Sequence, residues 1–343
     1  MTRLSVVVPG YNTRKEWWVR CIASIDKALT EEDEIIVVDD GSTTPVQRTW
    51  FESKIVTIIR HNKNKGLPTA RNTGLAASDS KYVTFVDSDD EVKEETFEKC
   101  VSVLERYNAD VAVYGVKSIR QVEKLTGTSI PDEDKYYGEL TPSDVGYLVK
   151  RRLFYYSWNK VFRKSFLDKH KFRFDPKGVP CEDAIFNVRL VREKAKWVTV
   201  AYEGYIYYRY DGSLLSSYKP TYVEGTRACT KAWHDYKANT PGAYEGLEKY
   251  GLGWYDETSE ENIVRGQWTN IWRRKSPWTL CEKWQYAKEN APVLGRPTLL
   301  VFVKKAIFMW LRAHCYWRPI RVWHEKRFVE HIGGKLTRWD GKV

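Results

Sequence analysis

Long apolar runs are missing from this sequence of 343 residues. No stretch approaches the roughly 18 apolar residues that a membrane-spanning helix needs, which excludes a polytopic membrane protein. The first residues, Met1–Pro9, form too short an apolar stretch for a secretory signal and predict a β-strand instead. We therefore expect a cytoplasmic protein.

Paired cysteine motifs are also missing. The six cysteines are scattered without a Cys-x-x-Cys pair, and no histidine stands at metal-ligand spacing from any of them. This pattern disfavours both a disulfide framework and a zinc site. We expect reduced, mostly buried thiols in a reducing compartment.

The composition is that of a globular protein with an unusual end. Hydrophobic residues make up 42% and charged residues 29% of the chain, which excludes a disordered or fibrous protein. The net charge is +11, and residues 296–343 contribute +8 of it, from eleven Lys/Arg against three Asp/Glu. Most of the fifteen tryptophans lie after residue 230. Such a basic segment favours an anionic partner.

Strands and helices alternate along the first 114 residues. This alternation predicts an α/β fold with a doubly wound, mostly parallel sheet. Strands are predicted at Leu4–Pro9, Glu34–Val38, Ile55–Ile59, Tyr82–Val86 and Asp110–Tyr114, and helices at Glu16–Leu29, Gln47–Lys54, Leu67–Ala77 and Glu94–Tyr107.

The middle of the chain is less regular. Ser118–Lys135 is polar and fits a hairpin or a loop, and the chain from Thr221 onward is predicted to be helical. Between them we predict helices at Ser143–Arg151 and Glu182–Glu193, a strand or turn leading into a helix at Trp158–His170, and strands at Trp197–Tyr202 and Tyr205–Tyr210.

Polar residues follow four of the predicted strands, where ligands bind in open parallel sheets. The segments are Pro9–Asn12, Asp39–Ser42, Arg60–Gly66 and Asp87–Asp90. An aromatic ring beside a carboxylate suits a nucleobase and its ribose, and clustered carboxylates suit Mg²⁺ or Mn²⁺ carrying a diphosphate. Each segment alone is equally compatible with a turn or a helix cap. Their common position at strand ends favours a site.

Four motifs follow one another in the first 90 residues: Val6–Asn12, Ile35–Ser42, Asn64–Gly74 and Phe85–Asp90. In this order they resemble a family 2 glycosyltransferase of GT-A fold, of the inverting, non-processive type of bacterial polysaccharide synthesis. The resemblance continues more thinly through Trp158–Lys160, Cys181–Phe186 and Tyr208–Ser213, and the last 125 or so residues match nothing that we can assign.

The resemblance implies a nucleotide-sugar pocket at the strand ends, in which Asp39 accepts a hydrogen bond from the base, commonly uracil. It also implies a bound Mn²⁺ or Mg²⁺, with Asp89 and Asp87 as ligands. The implied nucleotide-sugar-binding residues are Pro9, Tyr11, Asn12, Asp39, Asp40, Lys65, Gly66, Arg71, Asp87 and Ser88.

The resemblance implies that Asp183 is the catalytic base, with Glu182 beside it. An inverting transfer needs a carboxylate to take the proton of the attacking hydroxyl, on the face opposite the leaving diphosphate. Without the upstream motifs, the same pair would suit the amino end of a helix. Trp158 and Lys160 would lie on the acceptor side, and Arg209 and Ser213 would belong to a mobile lid.

On this reading, residues 1–220 form the GT-A catalytic domain, divided at 115 into a nucleotide-binding half and an acceptor half. A helical extension follows at 221–295 and a basic, Trp-rich tail at 296–343. Mixed Trp, Tyr and Lys/Arg residues in 298–331 suit a helix lying on an anionic membrane. The alternative is a helical cap with a tryptophan core. We expect peripheral association with the inner face of the plasma membrane.

Together these features predict transfer of one sugar from a nucleotide-diphospho-sugar, most simply a UDP-sugar, to a hydroxyl of a glycan or lipid-linked saccharide. No Gln-x-x-Arg-Trp motif follows Asp183, which favours single-sugar transfer over processive synthesis. One alternative is a sugar-phosphate nucleotidyltransferase, which would need a Gly-rich phosphate loop after the first strand. The other is a basic nucleic-acid-binding protein, disfavoured because the charge is confined to one end and no nucleic-acid motif occurs.

Overall fold

The computed structural model describes residues 2–53, 55–120, 133–177, 180–209, 219–250, 267, 269–271 and 276–290. The strands are β1 (Thr2–Gly10), β2 (Glu34–Asp39), β3 (Val56–Arg60), β4 (Ser80–Phe85), β5 (Glu91–Val92), β6 (Val111–Arg120), β7 (Lys135–Glu139), β8 (Lys160–Arg163) and β9 (Lys196–Arg209). The helices are α1 (Lys15–Lys27), α2 (Leu67–Ala77), α3 (Thr96–Arg106), α4 (Pro142–Lys150), α5 (Lys164–Lys169), α6 (Glu182–Arg192), α7 (Tyr222–Asn239), α8 (Ala243–Glu248) and α9 (Leu280–Glu289).

These strands form one sheet in the order β3-β2-β1-β4-β8-β6-β9-β5, with β7 also paired to β9. β1 lies parallel to β2 and β4, β2 to β3, and β6 to β9. β8 lies between β4 and β6 and runs antiparallel to both. The six strands β1, β2, β3, β4, β6 and β9 therefore all run in the same direction. The carboxyl ends of β1, β2 and β4 therefore meet at one edge, which confirms the predicted mostly parallel α/β sheet.

Helices cover both faces of this sheet. β1 is buried on both sides because its alternate residues enter two separate hydrophobic clusters. Val6 and Val8 pack with Trp18 of α1 and with α3, whereas Val7 packs with Leu75 of α2 and with α6. The near-continuous valine run in the sequence is thus the signature of a doubly wound sheet.

β9 corrects the prediction of two separate strands. It runs without a break through Glu203-Gly204, because a bulge absorbs the irregular residues: Tyr114 of β6 pairs with Val200, and the next residue, Gly115, pairs with Glu203. The result is one strand of 14 residues whose far end lies beside the carboxyl edge of the sheet.

Other segments also differ from the prediction. In place of a helix over 47–54, a single 3₁₀ turn forms at Arg48–Trp50, and the Arg48 guanidinium holds the chain extended after it by donating to the carbonyls of Phe51 and Ser53. The two-residue strand β5 was not predicted, since two residues show no period. It pairs with Tyr205-Ile206 of β9 and so brings β9 against the loop after β4.

The chain divides into two compact units, Met1–Tyr210 with Glu224–Glu257, and Asp211–Val223 with Thr258–Val343. The first contains the whole described sheet. In the second, α9 begins with a capping box in which Thr279 and Glu282 satisfy each other's backbone N–H groups. No helix among the described residues combines the length and the apolar run that crossing a membrane requires.

Candidate active site

The ends of β1 and β2 are tied together by Asn12. Its backbone N–H donates to Ser42 Oγ at 2.9 Å, and its Oδ1 accepts from the N–H of Thr43 at 2.8 Å. Asn12 has φ of 52°, a left-handed conformation that asparagine tolerates well. Tyr11, 49% exposed, is thereby presented at the edge, while Pro9 is buried in the strand.

Asp39 lies beneath this edge rather than on it. It is fully buried, and its carboxylate accepts from the backbone N–H groups of Ser42 at 2.9 Å and Val46 at 3.1 Å and from the Arg60 guanidinium. Burial alone would raise the pKa of Asp39, but these donors outweigh it and hold the pKa below its ordinary value. In this conformation Asp39 shapes the loop after β2.

Asp40 shapes the neighbouring loop in the same way. Its oxygens accept from the N–H groups of Lys65 at 2.9 Å and Gly66 at 2.8 Å and from Nδ1 of His61 at 2.7 Å. Gly66 has φ of 90°, a conformation that suits glycine, and α2 starts immediately after it. Asp40 therefore sets the start of α2, and the exposed Lys65 side chain lies at that start.

Arg71 of α2 is the centre of the site. It is 1% exposed, and its guanidinium donates to Oδ1 of Asp183 at 2.6 Å and to Oδ1 of Asp87 at 3.0 Å. Oε1 of Glu182 lies 3.8 Å away. Burial would lower the pKa of Arg71, but the three carboxylates raise it above its ordinary value, so the group is always charged. One cation thus joins the strand-end carboxylate to the start of α6.

The next residue, Asn72, fixes the surface beneath Arg71. Its side chain exchanges two hydrogen bonds with the backbone of Phe174, each 2.8 Å long. This clamp places the Phe174 ring under the guanidinium, with 5.4 Å between Cζ of Arg71 and the ring centroid. Such a contact stabilises the cation in a buried position.

The loop after β4 carries three carboxylates in different environments. Asp87 faces Arg71 and is partly exposed, whereas Asp90 is fully buried and accepts from Tyr205 Oη at 2.9 Å and from the N–H of Tyr208 at 2.8 Å. Burial, together with the negative charge of Asp87, raises the pKa of Asp89 to about 7. Burial also raises the pKa of Asp87, against the opposing charge of Arg71. Two carboxylates that resist ionisation side by side suit a site for a cation.

Arg20 of α1 holds this loop from outside. It donates to the backbone carbonyl of Asp89 at 2.5 Å, pairs with Glu91 at 2.9 Å and stacks over the Tyr208 ring, with 3.9 Å from Cζ to the centroid. The neighbouring Ser88 is buried and bonds to Thr13 Oγ1 at 2.7 Å. Ser88 therefore fastens the loop after β4 to the loop after β1.

Glu182 and Asp183 open α6, where negative charge is favourable. Oδ1 of Asp183 accepts from Ser157 Oγ at 2.9 Å in addition to Arg71. Glu182 is 8% exposed, and its Oε2 has no hydrogen-bond partner among the described residues. Burial, with the charge of Asp183, raises the pKa of Glu182 to about 7.

Lys160 and Trp158 are interior residues. Nζ of Lys160 is fully buried and donates to the carbonyls of Leu153 at 2.9 Å and Phe154 at 3.2 Å and to that of Tyr156. Burial lowers the pKa of Lys160 to about 7. Trp158 is 5% exposed and stacks against Tyr205, with 4.3 Å between ring centroids. The structure thus places both under the site, where they support its walls.

Within the described residues, no group of three or more His, Cys, Asp or Glu side chains could hold a metal ion. The predicted metal ligands, Asp87 and Asp89, supply only two carboxylates, so a diphosphate would have to supply further oxygen ligands. Ser213 lies outside the described residues, as does the side chain of Arg209 at the end of β9.

The structure brings Arg71, Asp87, Glu182 and Asp183 together, and it places Asp39, Asp40 and Lys160 behind them. Sequence reasoning missed three residues that support the site: Ser157, Tyr205 and Arg20. The position of Ser157 directly before Trp158–Lys160 was a usable signal, whereas Tyr205 and Arg20 belong to no motif.

The chain is similar to known proteins in sequence and in fold. The family described as "Glycosyl transferase family 2" matches residues 5–171. EpsJ of Bacillus subtilis, an uncharacterized glycosyltransferase, is 27% identical over 64% of this chain and 65% of its own length. TarP of Staphylococcus aureus, a poly(ribitol-phosphate) beta-N-acetylglucosaminyltransferase, is 28% identical over 60% of this chain and 63% of its own length. The chain thus matches less than two thirds of the length of these curated relatives.

A solved structure with the same fold is TarS 1–349 of S. aureus in complex with UDP-GlcNAc. It superposes with a TM-score of 0.62 at 18% sequence identity and covers 97% of this chain and 92% of that one. The fold is therefore GT-A. Residues 5–171 of this chain are therefore a domain of glycosyltransferase family 2.

Proposed function

We propose that this glycosyltransferase moves one sugar from a UDP-sugar to a hydroxyl of a cell-envelope polymer, with inversion at the anomeric carbon. The observation that carries the proposal is the Arg71 bridge, which sets Asp183 across from Asp87. A base on one side and a diphosphate site on the other is the arrangement that in-line displacement needs. The whole reaction then fits between the carboxyl end of β4 and the start of α6.

The donor proposal is supported by the pocket edge and by the relatives. Tyr11 is exposed at the end of β1, where a base could stack against its ring. TarP is a poly(ribitol-phosphate) beta-N-acetylglucosaminyltransferase, and TarS has been crystallised with UDP-GlcNAc, so UDP-GlcNAc is the first donor to test. By the same reasoning, a polyol phosphate polymer is the first acceptor to test, beside glycans and lipid-linked saccharides.

A divalent cation, Mn²⁺ or Mg²⁺, would be held by Asp87 and Asp89. Both are hard oxygen ligands, and their repulsion in a buried loop would be relieved by a cation between them. When bound, such an ion neutralises the leaving diphosphate. Asp87 is also held by Arg71, so its carboxylate keeps one orientation toward the loop.

In the transfer step, Asp183 takes the proton of the acceptor hydroxyl while that oxygen attacks C1 of the sugar. The bond from C1 to the diphosphate oxygen breaks, and the electron pair leaves with UDP. The Arg71 guanidinium, 2.6 Å from Oδ1 of Asp183, holds that carboxylate in place before the step. Glu182, whose pKa is about 7, then lies beside a newly protonated Asp183 without adding a second full charge.

Calorimetric titration of a UDP-sugar panel, with and without Mn²⁺, tests donor and cation together. We expect one UDP-sugar to bind the wild type in a metal-dependent manner and to lose that dependence in Asp89→Ala. Asp26→Ala, at an exposed position of α1, is the matched control and should bind as the wild type does. Absence of binding by every nucleotide sugar to well-folded protein would contradict the proposal.

We also propose that the basic segment 298–331 docks the protein on the cytoplasmic face of the membrane. This segment lies outside the described residues, so its composition carries the proposal. Charge reversal at Arg312, Arg318 and Arg321 in the full chain should abolish sedimentation with anionic vesicles. Equal sedimentation of wild type and variant would contradict it.

A further inference from the structure

Ser157 lies in the loop between α4 and β8 and is completely buried. Its hydroxyl donates to Oδ1 of Asp183 at 2.9 Å. The same oxygen accepts from Arg71 at 2.6 Å. Oδ1 therefore receives two hydrogen bonds from two directions, which fixes the plane of the carboxylate.

The other oxygen of Asp183 is placed differently. Within the part of the chain that the structure describes, no donor reaches Oδ2 of Asp183, and the side chain is 19% exposed. A carboxylate with one oxygen saturated accepts a proton on the other, since the saturated oxygen has its lone pairs engaged. The two donors on Oδ1 thus select Oδ2 as the proton acceptor.

Lys160 fixes the loop that carries Ser157. Its ammonium donates to the carbonyls of residues 153, 154 and 156, so three carbonyl groups of the loop converge on one buried cation. Asn187 of α6 donates to two of the same carbonyls, at 2.7 Å to Phe154 and 3.3 Å to Tyr156. The loop is therefore fastened both to β8 and to the helix that bears Asp183.

We infer that Ser157 is a positioning residue for the carboxylate of Asp183, and that Lys160 and Asn187 hold Ser157 in place. The inference rests on the proposed role of Asp183 as the base. The loop is already secured by Lys160 and Asn187 without the serine hydroxyl. That hydroxyl instead donates its hydrogen bond to the carboxylate of Asp183. Its removal therefore leaves the loop intact and lets the carboxylate rotate about its remaining contact with Arg71.

Ser157→Ala tests this directly, and Ser5→Ala is the matched control. Ser5 is an equally buried serine near the amino end of β1, where its hydroxyl bonds to Glu34 and Ser80. We expect Ser157→Ala to lower kcat about 10- to 100-fold with KM for the UDP-sugar unchanged, because misplacing a base costs rate and not donor binding. Ser157→Cys introduces a weak donor of similar size, and its kcat should lie between those of Ser157→Ala and wild type. Ser157→Thr keeps the hydroxyl and should recover activity.

Crystal structures of wild type and Ser157→Ala provide a readout independent of turnover. The inference expects the Asp183 carboxylate to rotate or to adopt two conformers in Ser157→Ala while residues 153–156 stay in place. An unmoved carboxylate with kcat within twofold of wild type would overturn it, as would an equal loss in Ser5→Ala. If wild type turns over no nucleotide sugar, the proposed function fails, and the crystal structures alone decide whether Ser157 positions Asp183.

Discussion

Arg71 and Asp183 are 112 positions apart in the chain, yet the guanidinium of one lies 2.6 Å from the carboxylate of the other. The same guanidinium reaches Asp87 at the end of β4. The pairing links α2, the β4 loop and α6 through a single buried cation. Its charge balance governs both the stability and the chemistry of the site.

Arg71→Met should destabilise the fold by about 3 to 5 kcal/mol, because it leaves buried carboxylates without their partner. The loss should be largest near neutral pH. Burial already raises the pKa of Asp87, and without the Arg71 charge it rises further, so Asp87 binds a proton as the pH falls and the deficit shrinks in acid. Urea unfolding at pH 5 and pH 8 measures this. Arg106→Met, at an exposed position of α3, should change stability by less than about 0.5 kcal/mol. A deficit in Arg71→Met that does not vary with pH would contradict the account.

Glu182→Gln should stabilise the protein above neutral pH. The pKa of Glu182 is raised from 4.5 to about 7, so the folded state binds this proton more tightly than the unfolded state does. Its contribution to stability is fully present below pH 4.5 and is lost as the pH rises through 7. We expect Glu182→Gln to gain about 2 to 3 kcal/mol over wild type between pH 5 and pH 8. If the variant and wild type differ in unfolding free energy by the same amount at pH 5 and at pH 8, Glu182 ionises normally.

Asp39→Asn should have the opposite pH dependence. The donors around Asp39 hold its pKa below the ordinary value, so its stabilising contribution is present above the unfolded-state pKa and is lost as the pH falls. An amide cannot accept from Ser42, Val46 and Arg60 together, and the variant should lose about 1 to 3 kcal/mol at pH 7. The difference in unfolding free energy between Asp39→Asn and wild type should become smaller toward pH 3. Urea unfolding at a series of pH values from 7 to 3 measures it. A constant difference would mean that the carboxylate charge is unimportant.

Gly10→Ala should disturb the junction of β1, α1 and the β4 loop. A Cβ at this position would lie 2.3 Å from Cζ2 of Trp18 and 2.7 Å from Ser88 Oγ. Overpacking of this kind costs about 1 to 3 kcal/mol. Trp18→Phe removes the first obstructing atom, so the double variant should be less destabilised than the sum of the single ones. Additive effects in the double-mutant cycle would contradict this packing.

The sequence predicted those parts of the fold that depend on local pattern. The first four strands and α2 were correctly located because their apolar periods are regular and Pro68 marks the start of α2. β5 has only two residues and shows no period. The break expected within β9 does not occur, because the extra residues of β9 form a bulge opposite Tyr114 and Gly115.

The sequence predicted which residues belong to the candidate site better than it predicted how they contact one another. Motif order located Asp87 and Asp183, but no local pattern shows that Arg71 joins them. Lys160 was expected on the acceptor side because the family resemblance implies it. Its complete burial depends on three carbonyls of a loop whose path the sequence does not reveal. The assignments to ligand, metal and acceptor remain predictions.

The most direct test of the central claim compares Asp183→Asn with wild type in donor binding and in turnover. UDP release from UDP-GlcNAc and related UDP-sugars, with Mn²⁺ and a polyol phosphate or glycan acceptor, measures turnover. Calorimetry measures binding. The account predicts that Asp183→Asn binds the donor as wild type does and loses about 10²- to 10⁴-fold in turnover, the contribution of a general base. Turnover in Asp183→Asn close to that of wild type would contradict the assignment of Asp183 as the base.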